Sequence, residues 1–341
     1  MSESDNCKNI SSLDFFRGIA GYGVAICHFY YYLYDLNYFQ FYSMFFVEFF
    51  FVLSGFVLYP QLKRVHENTS NTKIFYLRRW YRTIPPYLIA LLVYSILFSK
   101  FDLDTLKYLF FIQNTSESFA DFEYFYVAWS LAIEEFFYLI FPICLILLNK
   151  KKFINITLLF ISLIYCAKIL YLIFDVNEEF YRIGTFLRLD SIAFGVIIRI
   201  FFEKIKNNFL NFTLILLISF SMIYFEKNLV NLKNFELFGF VLLIQIISVN
   251  IIILFINFNK FITNNLIKKI FSLLSKQTYS IYLFHFAIIY LIKLNNLFLN
   301  VQWLFLFYLT FLFLFSTLFY YLLEKIVIEN RPKYTNKTVN N

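Results

Sequence analysis

Apolar runs, each long enough to cross a bilayer, decide what this 341-residue chain can fold into. They recur near residues 13–35, 39–61, 82–99, 126–148, 154–174, 184–202, 209–225, 237–257, 271–293 and 301–323, with the charges bunched between them. Apolar residues make up 60% of the sequence and charged residues only 15%. Soluble domains of this length would show periodic charge on every element, and their cores could not absorb so much apolar surface. The expected fold is all-α, a polytopic integral membrane protein of about ten transmembrane helices.

The formal net charge of +8 would suggest nucleic acid if the chain were soluble. Here the charges sort by side. Of the 30 Lys and Arg, twenty fall in alternate segments that begin with the N-terminus, and only Lys100, Lys107, Arg182, Lys227, Lys233 and Lys293 fall in the opposite set. The positive-inside rule then predicts ten spans with both termini cytoplasmic. The basic balance is thus a topology signal, and the expected surroundings are membrane lipids, with no nucleic-acid partner. Residues 1–12 and 326–341 read as cytoplasmic tails flanking a transmembrane domain over 13–325. The N-terminus lacks a basic region followed by a short apolar core, so no cleaved signal peptide is expected. Cys7, Cys27, Cys144 and Cys166 have no CxxC or Cys/His spacing and read as reduced, buried small residues, with no metal expected. The longest inner loop ends in TKIFYLRRWYR, a mixture of apolar and cationic side chains suited to a helix at the inner interface.

A charge inside the bilayer costs a few kcal/mol even on lenient scales, so each one needs a partner, a water-filled cavity or a function. Arg17 and His28 lie in the first span, Glu48 in the second, Glu134 and Glu135 in the fourth, Lys168 in the fifth, Arg188 and Asp190 in the sixth and His285 in the ninth. Eleven residues turn a helix by about three turns plus 20° and raise it by about 16 Å, so Arg17 and His28 share a face, Arg17 near the inner rim and His28 near mid-bilayer. The topology places Glu48, Glu134, Arg188, Asp190 and His285 toward the outside. Two accounts fit. Arg188 and Asp190 neutralise each other or a neighbouring Glu, or these residues line a polar outer cavity with His28 at its floor. Glu134 and Glu135 point about 100° apart, so only one is expected to face such a cavity. Lys168 is expected to snorkel or pair, and His66 to be a solvated loop residue.

The segment SSLDFFRGIAGYGVAICHFYYYL resembles the opening helix of acyltransferase family 3 membrane proteins, through Leu13, Asp14, Arg17, Gly18 and His28. Further similar pieces follow in the family's order: FFFVLSGFVL, which contains Ser54, RRWYRTIPPYLIALL, AWSLAIEEFFYLIFP, RLDSIAFG, TYSIYLFH and YYLLEK. The resemblance implies about ten helices that transfer an acyl group, usually acetyl from acetyl-CoA, to a hydroxyl of a cell-surface or lipid-linked glycan in a bacterial cytoplasmic membrane. It implies that His28 is the essential histidine, with Arg17 as its partner. Arg79 and Arg82 fit the family's Arg-x-x-Arg pair, and Glu134 fits the acid of its Trp-Ser-Leu-x-x-Glu motif.

The chemistry agrees with that expectation. CoA is a polyanion, and guanidinium groups bind phosphate through bidentate, charge-assisted hydrogen bonds, so Arg78, Arg79 and Arg82 form a candidate acyl-CoA dock. A neutral imidazole can take the proton of an acceptor hydroxyl as it attacks a thioester, a step worth roughly 10² to 10⁴ in rate. His28 is the candidate base. Ser54, Glu48, Arg188, Asp190 and His285 are candidates for the acceptor side. A proton-coupled transporter of glycans or lipid-linked sugars is the alternative from another class, a non-catalytic partner of a glycan synthase is a third, and homo-oligomerisation is left open.

Overall fold

Backbone inside a membrane must satisfy its own hydrogen bonds, and helices do so within one segment. The computed structural model describes residues 10–116, 124–174, 178–202, 214–215, 234–295 and 300–334, and among them there is no strand. The helices are α1 (Ser11–Tyr34), α2 (Tyr38–Glu67), α3 (Thr72–Leu97), α4 (Leu103–Leu109), α5 (Ala128–Leu147), α6 (Phe153–Ile173), α7 (Glu178–Ile183), α8 (Leu189–Phe201), α9 (Asn234–Phe258), α10 (Asn265–Leu294), α11 (Val301–Phe319) and α12 (Lys325–Glu329). A π-helical turn, Tyr320–Glu324, joins the last two.

Helices stand at nine of the ten expected apolar runs, and the run at 209–225 lies almost wholly outside the described residues. Five of them are long and apolar enough to cross a membrane: Tyr38–Glu67, Ala128–Leu147, Phe153–Ile173, Phe235–Phe261 and Val301–Glu329. α1, α3 and α10 are as long but hold no stretch as apolar, and polar side chains such as Arg17, His28, Arg79, Arg82 and His285 lie on them. Leu163, Ile173, Trp303 and Leu314 are each at least 60% exposed, as expected of side chains that meet lipid rather than water. Cys27 is buried, but Cys166 is exposed on α6, so the expectation of uniformly buried cysteines does not hold. His66 also differs from its loop expectation, because α2 runs on to Glu67 and turns His66 against the Phe153 ring.

Two parallel helix pairs set the frame. α2 and α8 pack backbone to backbone at small residues: a Cβ on Gly55 would lie 1.8 Å from the Ile192 carbonyl oxygen, and one on Gly195 would lie 1.9 Å from that of Val52. α1 and α10 likewise meet at Gly18 against Leu274 and Gly21 against Thr278, where an added Cβ would come within 2.7 and 2.9 Å of a side chain. Contacts along this second pair keep a nearly constant offset, from Gly18 with Leu274 to His28 with His285, so the two helices run in the same direction. The pair carries both intramembrane histidines to one place.

Candidate active site

α1 and α10 hold the centre of the site. His28 Nδ1 lies 2.8 Å from His285 Nε2, and His285 Nδ1 lies 3.0 Å from the Ile281 carbonyl oxygen one turn back on its own helix. A carbonyl only accepts, so in the neutral pair His285 Nδ1 carries the proton and its Nε2 accepts from His28 Nδ1–H. That leaves His28 Nε2 as the ring nitrogen with a free lone pair. Both rings are buried. Tyr32 and Tyr126 pack edge-on against His28, with ring centroids 5.9 and 5.5 Å away.

Two cavities approach this pair. The first, about 100 Å³, is lined by Arg17 of α1, Ser54 of α2, Arg79 and Arg82 of α3, Glu134 and Tyr138 of α5, and Tyr282 of α10, with apolar side chains between them. Arg79 and Arg82 reach it together because residues three apart share a helix face. Arg78, one position earlier, turns away and donates to the Pro332 carbonyl oxygen at 2.7 Å. Glu134 accepts from Ser54 Oγ at 2.8 Å and from the Tyr138 hydroxyl at 2.9 Å. Glu135 does not line the cavity, in keeping with the helical geometry of adjacent residues. Arg17 lies 3.5 Å from Ser275 Oγ, which donates to Asp14 at 2.9 Å. At the deep end Tyr282 hydrogen-bonds Ser130 and stands 6.0 Å from the His285 ring, so it separates the cavity from the histidines.

The second cavity, about 600 Å³, is lined by Tyr31, Tyr32, Gln40, Tyr126, Arg182, Tyr290 and Lys293 among others. Tyr32 and Tyr126 thus contact His28 on one side and this cavity on the other. His28 lines neither cavity: Tyr32 and Tyr126 stand between it and the second, and His285 and Tyr282 stand between it and the first.

The predicted residues divide accordingly. Arg17, Ser54, Arg79, Arg82 and Glu134 converge on the first cavity, and His28 joins His285. Glu134 departs from its expected depth: it stands among the arginines rather than opposite them. α5 begins inside the protein, with Tyr124, Phe125 and Ala128 all fully buried, so its seventh residue lies deeper than a helix starting at the membrane rim would put it. Glu48, Arg188 and Asp190 line neither cavity. Glu48 accepts from Arg188, Asp190 accepts from Lys168 Nζ at 2.5 Å, and Gln245 donates to Asp190 at 3.1 Å and to Ser191 at 2.8 Å. The structure therefore shows the pairing account for these residues, with Lys168 as the second cation. Tyr138, Tyr282, Ser130 and the tyrosine-lined cavity were not singled out from sequence; Tyr138 one turn after Glu134 and Tyr282 one turn before His285 were the available signals. Among the described residues no cluster of three His, Cys, Asp or Glu is placed to hold a metal ion.

Comparison with known proteins places these features. Two candidate O-acetyltransferases of Staphylococcus aureus are similar: that of strain COL is 30% identical, covering 83% of this chain and 51% of the relative, and that of strain MSSA476 is 30% identical, covering 71% and 45%. The chain spans about half the length of the curated relatives it matches. No solved structure matches. Residues 10–325, nearly the whole chain and all of the cavity-lining side chains above, match the family model described as an acyltransferase domain, and the chain belongs to acyltransferase family 3.

Proposed function

We propose that the protein is a membrane O-acyltransferase of a bacterial cytoplasmic membrane that moves an acyl group, acetyl from acetyl-CoA, to a hydroxyl of a cell-surface or lipid-linked glycan. The observation that carries this reading is the placement of the histidine pair between an arginine-lined cavity and a tyrosine-lined one. Guanidinium groups suit the phosphates of an acyl-CoA, and tyrosine rings with hydroxyls suit a sugar, whose faces are apolar and whose rim is polar. The positive-inside pattern puts the arginine cavity on the cytoplasmic side, where CoA is found.

In this reading the donor docks at Arg79 and Arg82 and its thioester enters past Ser54 and Glu134 toward Tyr282. The acceptor hydroxyl comes from the tyrosine side to His28. His28 Nε2 takes the hydroxyl proton as the oxygen bonds to the thioester carbonyl carbon; collapse of the tetrahedral species breaks the C–S bond, and the CoA thiolate leaves. His285, its Nδ1–H held by the Ile281 carbonyl, keeps the basic lone pair of His28 on Nε2. Arg17 and the arginine pair stabilise negative charge on the donor side.

Two cavities separated by a plug also suit a proton-coupled glycan carrier. Purified protein given acetyl-CoA and glycan separates the two: glycan-dependent CoA release, lost in His28→Ala, supports the transferase, whereas glycan movement without CoA consumption contradicts it.

A further inference from the structure

The basic patch divides, and only part of it faces the cavity. Arg64 and Arg78 lie outside the cavity lining and enclose Tyr334, with guanidinium carbons 5.0 and 5.1 Å from its ring centroid. Arg78 also holds the Pro332 carbonyl, so residues 331–334 are fixed against α2 and α3. Burial and the positive charges of Arg78, Arg82 and Arg79 push the Arg331 guanidinium down to about 10, which places it in the same cluster. Among the described residues no carboxylate forms an ion pair with Arg64, Arg78, Arg79, Arg82 or Arg331. Arg79 is 7% exposed, yet its Nε has no partner; the Arg78 Nε and the Tyr334 hydroxyl are likewise buried and unpartnered. Gln61 accepts from Arg79 at 2.7 Å and the buried Glu324 carboxylate lies within electrostatic reach of Arg82, but one carboxylate against five cations leaves an excess of positive charge and unsatisfied donors that a polyanion would offset.

We propose that residues 331–334 complete a phosphate cradle at the mouth of the arginine cavity, in which Arg64, Arg78, Arg82 and Arg331 bind the phosphates of a nucleotide-tailed donor. This rests on the acyl-CoA reading and extends it to the adenosine 3′-phosphate 5′-diphosphate end. Tyr334 is a positioning residue, stacked between Arg64 and Arg78. The cradle is continuous with the cavity, because Arg82 belongs to both and Arg79 of the cavity lies near Arg331, so a phosphate bound outside leaves the thioester arm pointing inward. An anionic lipid head group offers the same phosphate chemistry from a different source.

The test measures binding of adenosine 3′,5′-bisphosphate to the full chain in nanodiscs of phosphatidylcholine or of phosphatidylglycerol. The bisphosphate is expected to bind in phosphatidylcholine, and Arg331→Ala to weaken it roughly ten- to hundredfold, the loss of one charge-assisted contact, with partial recovery in Arg331→Lys. KM for acetyl-CoA rises by a similar factor in Arg331→Ala, whereas KM for acetyl-pantetheine, which has no nucleotide, does not. Unchanged bisphosphate affinity in Arg331→Ala overturns the proposal. So does a wild type that binds no bisphosphate in phosphatidylcholine but is stabilised by phosphatidylglycerol through Arg331, since the cradle is then a lipid site. Binding that needs Arg331 without any consumption of acetyl-CoA upholds the cradle and overturns the acyl-transfer reading.

Discussion

Two groups of charged side chains lie within this helix bundle, and they are finished differently. In one, Glu48 and Arg188, and Lys168 and Asp190, are paired within α2, α6, the turn before α8 and α8 itself, and none is more than 4% exposed on its side chain. Two cations meet two anions, Gln245 and Ser191 fill in hydrogen bonds, and these residues line neither of the two cavities described above. In the other, Arg17, Arg79 and Arg82 share a cavity with a single carboxylate, Glu134, whose oxygens are taken by Ser54 and Tyr138. The first group is a neutral fastener. The second keeps an excess of positive charge facing open space, as a site for an anion must.

The largest effect belongs to the junction of the two cavities: His28→Ala should fold and insert, yet lose roughly 10²- to 10⁴-fold in acetyl transfer to glycan, measured as acceptor-dependent CoA release. Next comes the fastener. Glu48→Gln or Asp190→Asn leaves a buried cation unpaired and should cost about 3–5 kcal/mol of stability, read by thermal unfolding in detergent, while the folded fraction keeps its turnover. A stable Glu48→Gln protein with no turnover would move the fastener into the active site. Removing both partners, as Lys168→Met with Asp190→Leu, should be less damaging than Asp190→Asn alone. In the open group Arg82→Ala should raise KM for acetyl-CoA by roughly ten- to hundredfold with a smaller change in kcat, since it removes a charge-assisted contact to the donor. The smallest expected change is Tyr138→Phe, which takes one hydrogen bond from Glu134 and should cost about 0.5–1.5 kcal/mol in kcat/KM, a factor of two to ten or so.

Much of the frame was legible from the apolar runs, because a membrane leaves them no choice but helix. Arg79 and Arg82 were legible as a pair for the same reason that they share a face in α3. The partners of the intramembrane charges were not. Arg188 and Asp190 are two residues apart, so their side chains diverge, one to Glu48 and the other to Lys168, and neither contact is encoded by spacing along the chain. Glu134 stands among the arginines because α5 starts inside the protein, below buried Tyr124 and Phe125, which apolar content does not reveal. His285 was expected on the acceptor side; its contact with His28 depends on the glycine-lined approach of α1 to α10, which hydropathy does not show. Tyr138 and Tyr282 were hidden among 27 tyrosines.

The central claim is that donor and acceptor meet at His28 from opposite cavities. Proteoliposomes with acetyl-CoA sealed on the arginine side and glycan supplied only on the tyrosine side test it most directly. The account predicts acetylated glycan outside with an equal amount of CoA released inside, and loss of both in His28→Ala. Acetylation that occurs only when glycan and acetyl-CoA are on the same side, or that survives His28→Ala at the wild-type rate, would contradict it.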